Sequence, residues 1–300
     1  FFSVLEESGY MARVAFVADP LMHPLGLHGR SAISMLLGFG CNVPAIMSTR
    51  TLESPRDRIL TILVNPFTSC SARLPVYLVF SSVFFPRYQG MVVFSLYFIG
   101  LAMAGLTAKI FTLFWFKEQS APLIMELPPY QIPVWRNVVA SAWNRALLFL
   151  HKAGTIIFLA MVVVWLLGSL PPGSDYASEQ TFLGRFGTLL APLLAPAGFG
   201  FWQAAVALLC GLVAKETVVG TLGALYGGGT VLPQVLPSVF TPVSAYAFLL
   251  MTLLYLPCLA TMAVIKQEAG LRWAVVSTVW SLIVGWSVAT FFYQVARFVL

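Results

Sequence analysis

Charge is what this chain has least of. Its 300 residues hold 17 Lys+Arg, 11 Asp+Glu and 3 His, so charged side chains make up 9% and apolar ones 59%. A soluble domain carries about 25% charged and about 45–50% apolar residues, and so little charge leaves no polar shell for a globule of this size. The composition excludes a disordered chain, and four cysteines in 300 residues exclude a disulfide scaffold. A net charge of +6 in such a chain reports loop orientation, not nucleic acid, and the 14% aromatic content fits lipid-facing packing better than base stacking. An integral membrane protein is what remains.

Catalytic strings are missing as well. No G-x-x-x-x-G-K-[ST], H-E-x-x-H or G-x-S-x-G pattern occurs, so an enzyme is not expected. His23, His28 and His151 fall near span ends, and Pro24 and Gly26 between the first two spoil a helical metal pair. Phe1 opens what reads as the middle of a helix, without a basic n-region or cleavage site. No signal peptide is expected, and the chain reads as a piece of a longer protein.

What the chain has is long apolar runs. Charge-free stretches occupy 31–49, 88–108, 153–174, 186–214, 217–265 and 273–296, and a seventh, 59–86, is interrupted only by Arg73. A spanning helix needs about 20 apolar residues. The 217–265 run is too long for one and is divided by Gly227-Gly228-Gly229, Pro233 and Pro237. The expected fold is an all-α integral membrane protein: a polytopic bundle of six to eight membrane helices, several of them discontinuous. Basic residues gather at 50–58 and 117–152, which the positive-inside rule places in the cytoplasm, with 86–90 and 171–185 outside. Within 117–152, Pro122, Pro128, Pro129 and Pro133 keep the first half extended. From Val134 to His151 a helix with Trp135, Val138, Val139, Ala142 and Ala146 on one side would lie along the membrane interface.

A proline inside a span releases the carbonyl four residues before it, which lipid cannot satisfy. Three of the four cysteines sit beside such breaks: Cys41 in GFGCNVP, Cys70 in NPFTSCS and Cys258 in YLPC. Soft sulfur beside exposed carbonyl oxygen suits a transition-metal cation. Each cysteine taken singly also fits a buried packing residue, and Cys210, away from any proline, is read that way. Asn42 and Ser69 are polar neighbours of the thiols and candidate accessory groups. Lys215-Glu216 stands between 186–214 and 217–265, either a functional pair at depth or a helix end with Lys215 snorkelling. Glu6-Glu7 is a cation-attracting mouth or an ordinary interfacial cap. Arg73 is expected to pair with a carboxylate or reach the interface.

Taken together, LEESGYMAR (5–13), GFGCNVPA (38–45), NPFTSCSARLP (65–75), MELPPY (125–130), AKETVVGTL (214–222) and LPC (256–258) run in order along the chain. They resemble the membrane domain of the ferrous iron transport protein B family. The resemblance implies a permease for Fe²⁺ in the bacterial inner membrane, with gate segments at 1–116 and 186–300 around a central region at 117–185. It implies that Cys41, Cys70 and Cys258 line the ion path. It also implies a preceding GTP-binding domain, through which alone GTP and Mg²⁺ would act, and as partners membrane lipid, small cytosolic Feo accessory proteins and further copies of the chain. Residues 31–86 and 203–265 each hold a broken stretch and then a span with a Pro-Cys neighbourhood, which fits paired gates. Fe²⁺ stands low in the Irving–Williams order, so iron as the cargo rests on the resemblance. An organic-solute carrier of nucleoside type, and a membrane anchor for the preceding domain, are the competing readings.

Overall fold

The computed structural model describes residues 4, 8–116, 130, 133–149, 155–170, 180–226, 228 and 231–299, with no strand among the described residues. Fifteen helices run through them. In the first half these are α1 (Tyr10–Met22), α2 (Ser31–Gly40), α3 (Asn42–Ser48), α4 (Pro55–Val64), α5 (Leu74–Phe84) and α6 (Gln89–Phe114). Then come α7 (Trp135–Phe149), α8 (Thr155–Ser169), α9 (Phe182–Leu194), α10 (Trp202–Val213) and α11 (Thr217–Leu225). The last are α12 (Leu232–Val239), α13 (Pro242–Leu254), α14 (Leu259–Ala269) and α15 (Leu271–Val299). Glu6, Glu7 and the prolines at 122, 128 and 129 lie outside the described residues.

Among the described residues four stretches are long and apolar enough to cross a membrane, Pro55–Phe84, Gln89–Phe114, Pro242–Ala269 and Leu271–Phe298; a fifth results if α9 and α10, bent by 101° at their junction, count as one. Six to eight were expected from charge-free runs. Breaks also cut apolar sequence into pieces such as α2 that are too short to span alone, and the run at 153–174 is described only in part. Burial separates the spans by kind. In the two that contain breaks, Pro55–Phe84 and Pro242–Ala269, 72% of an apolar 18-residue window is buried, against 39% in Gln89–Phe114 and 28% in Leu271–Phe298. Lipid offers no hydrogen bonds, so irregular backbone must be wrapped in protein while continuous helices face outward.

The chain divides into two compact units that do not follow chain order: Phe1–Ser71 with Gly100–Thr155 and Ala260–Ser277, and Ala72–Ile99 with Ile156–Leu259 and Thr278–Leu300. In the first, α1 packs on α2, and α2 on α3 and α4. One end of this unit carries a web of charge. Glu268, with a side chain only 3% exposed, accepts from Arg50 Nε (2.9 Å) and Arg58 Nη2 (2.6 Å). Arg56 pairs with the buried Asp57 (3.0 Å) and Arg30 with Glu53 (3.0 Å). The Glu268 carboxylate pushes the Arg50 guanidinium above its ordinary value.

In the second unit, α5 packs against α11, α12 and α13, and α9 against α10. Its core is aromatic: Phe80 stacks on Phe248 at 5.1 Å and meets the edge of Phe240 at 5.3 Å.

The two halves of the chain repeat an order of elements. α1 contains Pro20 and continues into a 3-10 turn, His23–Leu25, closed by Gly26. α9 contains Pro192 and continues into Ala195–Ala197, closed by Gly198. Pro, Pro and Gly keep one spacing in both places: 20, 24, 26 and 192, 196, 198. Gly26 (φ 76°) and Gly198 (φ 87°) are left-handed, a conformation that burdens any residue with a Cβ. At Gly26 a Cβ would strike Thr112 of α6, and at Gly198 it would strike Tyr293 of α15. Each glycine thus lets an unbroken span close onto its turn.

The helix expected from Val134 to His151 is α7. Trp135, Val139, Trp143 and Leu147 are exposed at a four-residue spacing, while Val138 is buried. That stripe of bulky apolar side chains fits a lipid interface and does not fit a solvated loop.

Candidate functional site

In the first unit the site is built from two interrupted helices. α2 ends at Gly40, Cys41 is extended (φ −157°, ψ 133°), and α3 begins at once with Asn42. Gly38 and Gly40 weaken the helix, and Pro44 has no N–H for the carbonyl of Gly40. That carbonyl is instead taken by the Ser71 hydroxyl at 2.8 Å. α4 ends at Val64, followed by the 3-10 turn Asn65–Phe67 and an extended Thr68. Thr68 Oγ1 donates to the carbonyl of Asn65 (2.7 Å) and lies 3.3 Å from Asn42 Oδ1. Two breaks far apart in sequence are therefore stitched together by short hydroxyl and amide groups. Cys41 and Cys70 are half-buried thiols at these breaks, while Asn42, Thr68 and Ser69 are buried.

The second unit repeats the device with different chemistry. α10 gives way to an extended Ala214 (φ −146°, ψ 130°), the turn Lys215-Glu216, and α11. Thr217 Oγ1 lies within hydrogen-bond reach of the carbonyls of Ala214 (2.7 Å) and Cys210 (2.9 Å). α13 stops at Tyr255, and Tyr255-Leu256-Pro257-Cys258 leads to α14. Lys215 turns inward: it is 4% exposed, donates to the carbonyl of Leu256, and holds its ammonium 3.5 Å from the Tyr255 ring centroid. Tyr255 OH in turn reaches the carbonyl of Leu208 at 3.3 Å. Lys215 is thus enclosed by protein, its cation held by main-chain oxygen and an aromatic face. Its neighbour Glu216 is exposed, so the two do not act as a buried pair.

Of the residues singled out in the sequence, Cys41, Asn42, Ser69 and Cys70 share the first unit's breaks, and Cys258 and Lys215 the second's. All four cysteines are thiols. Cys210 sits in an apolar cluster with Leu183 and Val206, as a packing residue does. Among the described residues no three His, Cys, Asp or Glu side chains gather as a metal site. Arg73 is only 1% exposed. Sequence reading passed over Asn65 and Thr68. A polar residue directly before a proline, inside a charge-free run, was the available signal.

The fold and these breaks define an all-α polytopic membrane protein with discontinuous helices. The family model described as Gate, nucleoside recognition, matches residues 1–84 and 150–272, and that described as ferrous iron transport protein B C terminus matches 93–145. The chain belongs to the Gate family and, within it, to the ferrous iron transport protein B group. The Fe(2+) transporter FeoB of Methanocaldococcus jannaschii is 48% identical over 298 residues, covering 96% of this chain and 44% of the relative. That of Staphylococcus aureus is 43% identical over 300 residues, covering 99% and 45%. A Porphyromonas gingivalis relative, named as a fusion of Fe(2+) transport protein A and Fe(2+) transporter FeoB, is 41% identical over 347 residues, covering 98% and 41%. The chain spans less than half the length of these curated relatives. No solved structure matches it significantly.

Proposed function

We propose that this chain is the conducting part of a ferrous iron permease in a bacterial inner membrane, with multiple passes and gate segments at 1–116 and 186–300 around a central 117–185. The observation that carries the reading is the placement, in each unit, of a half-buried thiol at a helix break: Cys41 between α2 and α3, and Cys258 between α13 and α14. Fe²⁺ is the substrate. It sheds part of its hydration shell at oxygen donors, with Glu6, Glu7 and Asn42 as candidates, and then meets Cys41, Cys70 and Cys258. Ser69 is an accessory group beside Cys70, Lys215 is a fixed positive charge near Cys258, and Glu216 is an outer carboxylate. A thiol that binds the ion gives its proton to water and regains one when the ion leaves. Sparse ligands favour release, since a site that holds an ion tightly cannot pass it on. A GTP-binding domain in the remainder of the protein, with Mg²⁺, controls the flux, and α7 rests on the cytoplasmic face. The fused Porphyromonas relative supports an accessory protein of the transport protein A kind as a partner, and homo-oligomers are the expected assembly.

Liposomes holding the chain test this. Fe²⁺ influx that falls on Cys41→Ser or Cys70→Ser supports the path, and influx unchanged in the triple Cys41/Cys70/Cys258 serine variant refutes it. One observation favours a second reading: the matching Gate model is described by nucleoside recognition. Uptake of a nucleoside without uptake of Fe²⁺ would shift the assignment to an organic-solute carrier.

A further inference from the structure

The first unit holds a buried amide that folding does not account for. Asn65 is 0% exposed, and neither its Oδ1 nor its Nδ2 meets a hydrogen-bonding group of the protein. A buried amide left unpaired is unfavourable, and an apolar residue of the same volume avoids the penalty. Its surroundings are organised. A Cβ added at Gly38 would lie 3.0 Å from Asn65 Oδ1 and would press on Thr68 Oγ1. The amide oxygen and the hydroxyl thus both lie against the bare Cα of Gly38, one helical turn before Cys41. Thr68 links onward to Asn42 Oδ1 at 3.3 Å. Neutral oxygens of Asn65, Thr68 and Asn42 are thus gathered close to the Cys41 break.

We propose that the Asn65 side-chain amide is an ion-handling group: over Gly38 its oxygen takes the place of one water on a partly dehydrated divalent cation passing the first break. The proposal rests on the permease reading. It supplies what the cysteines lack, because three anionic or imidazole ligands do not gather anywhere among the described residues. A neutral amide oxygen is a hard donor that eases dehydration without the grip of a carboxylate.

The test uses Fe²⁺ itself, with the chain and its variants in liposomes and thermal unfolding followed in parallel. Asn65→Leu is expected to leave the unfolding midpoint unchanged or raised, since it removes an unpaired buried amide, and to lower Fe²⁺ influx about tenfold or more. Asn65→Asp is expected to lower both the half-saturating Fe²⁺ concentration and the maximal rate, because a carboxylate binds the ion and releases it slowly. A purely structural role would not produce that split. Full influx in Asn65→Leu overturns the role of Asn65 and leaves the permease reading standing. Influx lost in proportion to folded protein makes Asn65 a packing residue and also overturns it. A folded, unsubstituted chain that passes no Fe²⁺ sinks the permease reading, and the Asn65 role with it.

Discussion

Gly285→Ala and Gly220→Ala make the same chemical change in two helices, and the structure predicts opposite signs. Alanine in place of glycine inside a helix is worth about 0.8–1 kcal/mol in helix propensity. At Gly220, exposed in α11, an added Cβ has nothing within 4 Å, so most of that gain should appear. At Gly285 in α15, the Cβ would lie 2.8 Å from Tyr255 N, 2.9 Å from Tyr255 Cα and 3.0 Å from Leu254 C. These are backbone atoms at the very break where α13 stops, and no rotamer change relieves them. Overpacking typically costs about 1–3 kcal/mol, and contact with fixed backbone belongs at the upper end. Subtracting the propensity gain leaves a net loss of about 2 kcal/mol. At about 2–4 °C per kcal/mol, the midpoint in detergent should fall by about 4–8 °C for Gly285→Ala. It should rise by about 2–4 °C for Gly220→Ala. A midpoint that rises in both variants refutes the close seating of α15 on the Tyr255 break.

Lys215→Met removes the donor to the Leu256 carbonyl and the cation over Tyr255. An expected loss of about 1–3 kcal/mol, read as a lower midpoint, checks that contact, and an unchanged midpoint rejects it. Glu268→Gln strips the carboxylate shared by Arg50 and Arg58, whose side chains are 53% and 32% exposed. Discounted for solvent screening at the arginine ends, the cost is about 1–3 kcal/mol. A double-mutant cycle between Arg50→Ala and Glu268→Gln that returns a coupling energy near zero would reject the pairing.

The breaks were legible because their cause is local. Pro44 and Pro66 each lack a backbone N–H, and Gly38 and Gly40 weaken the same turn; one reading frame suffices to see that α2 and α4 must stop there. The helix α7 was legible for the same kind of reason, since its apolar residues recur at helical spacing. The partners at the breaks were not. Nothing near Gly40 names Ser71 as the donor to its carbonyl, and nothing near Lys215 names Leu256, because both contacts close long loops. The neglected Asn65 is the sharpest case: as a residue type it is an unremarkable polar cap, and only its enclosure leaves both amide atoms without a partner.

The scarcity of charge determined by itself that this chain lives in a membrane. Proline and glycine placement likewise determined where its helices break, since hydropathy and missing N–H groups are properties of the residues. Only the tertiary structure decided which breaks meet, that Lys215 points inward while Glu216 points out, and that residues 260–277 join the unit of residues 1–71. Those outcomes depend on which distant group fills a given space and satisfies a given carbonyl. In lipid that choice is made by packing and hydrogen bonding among helices, with no solvent to take up what is left unpaired.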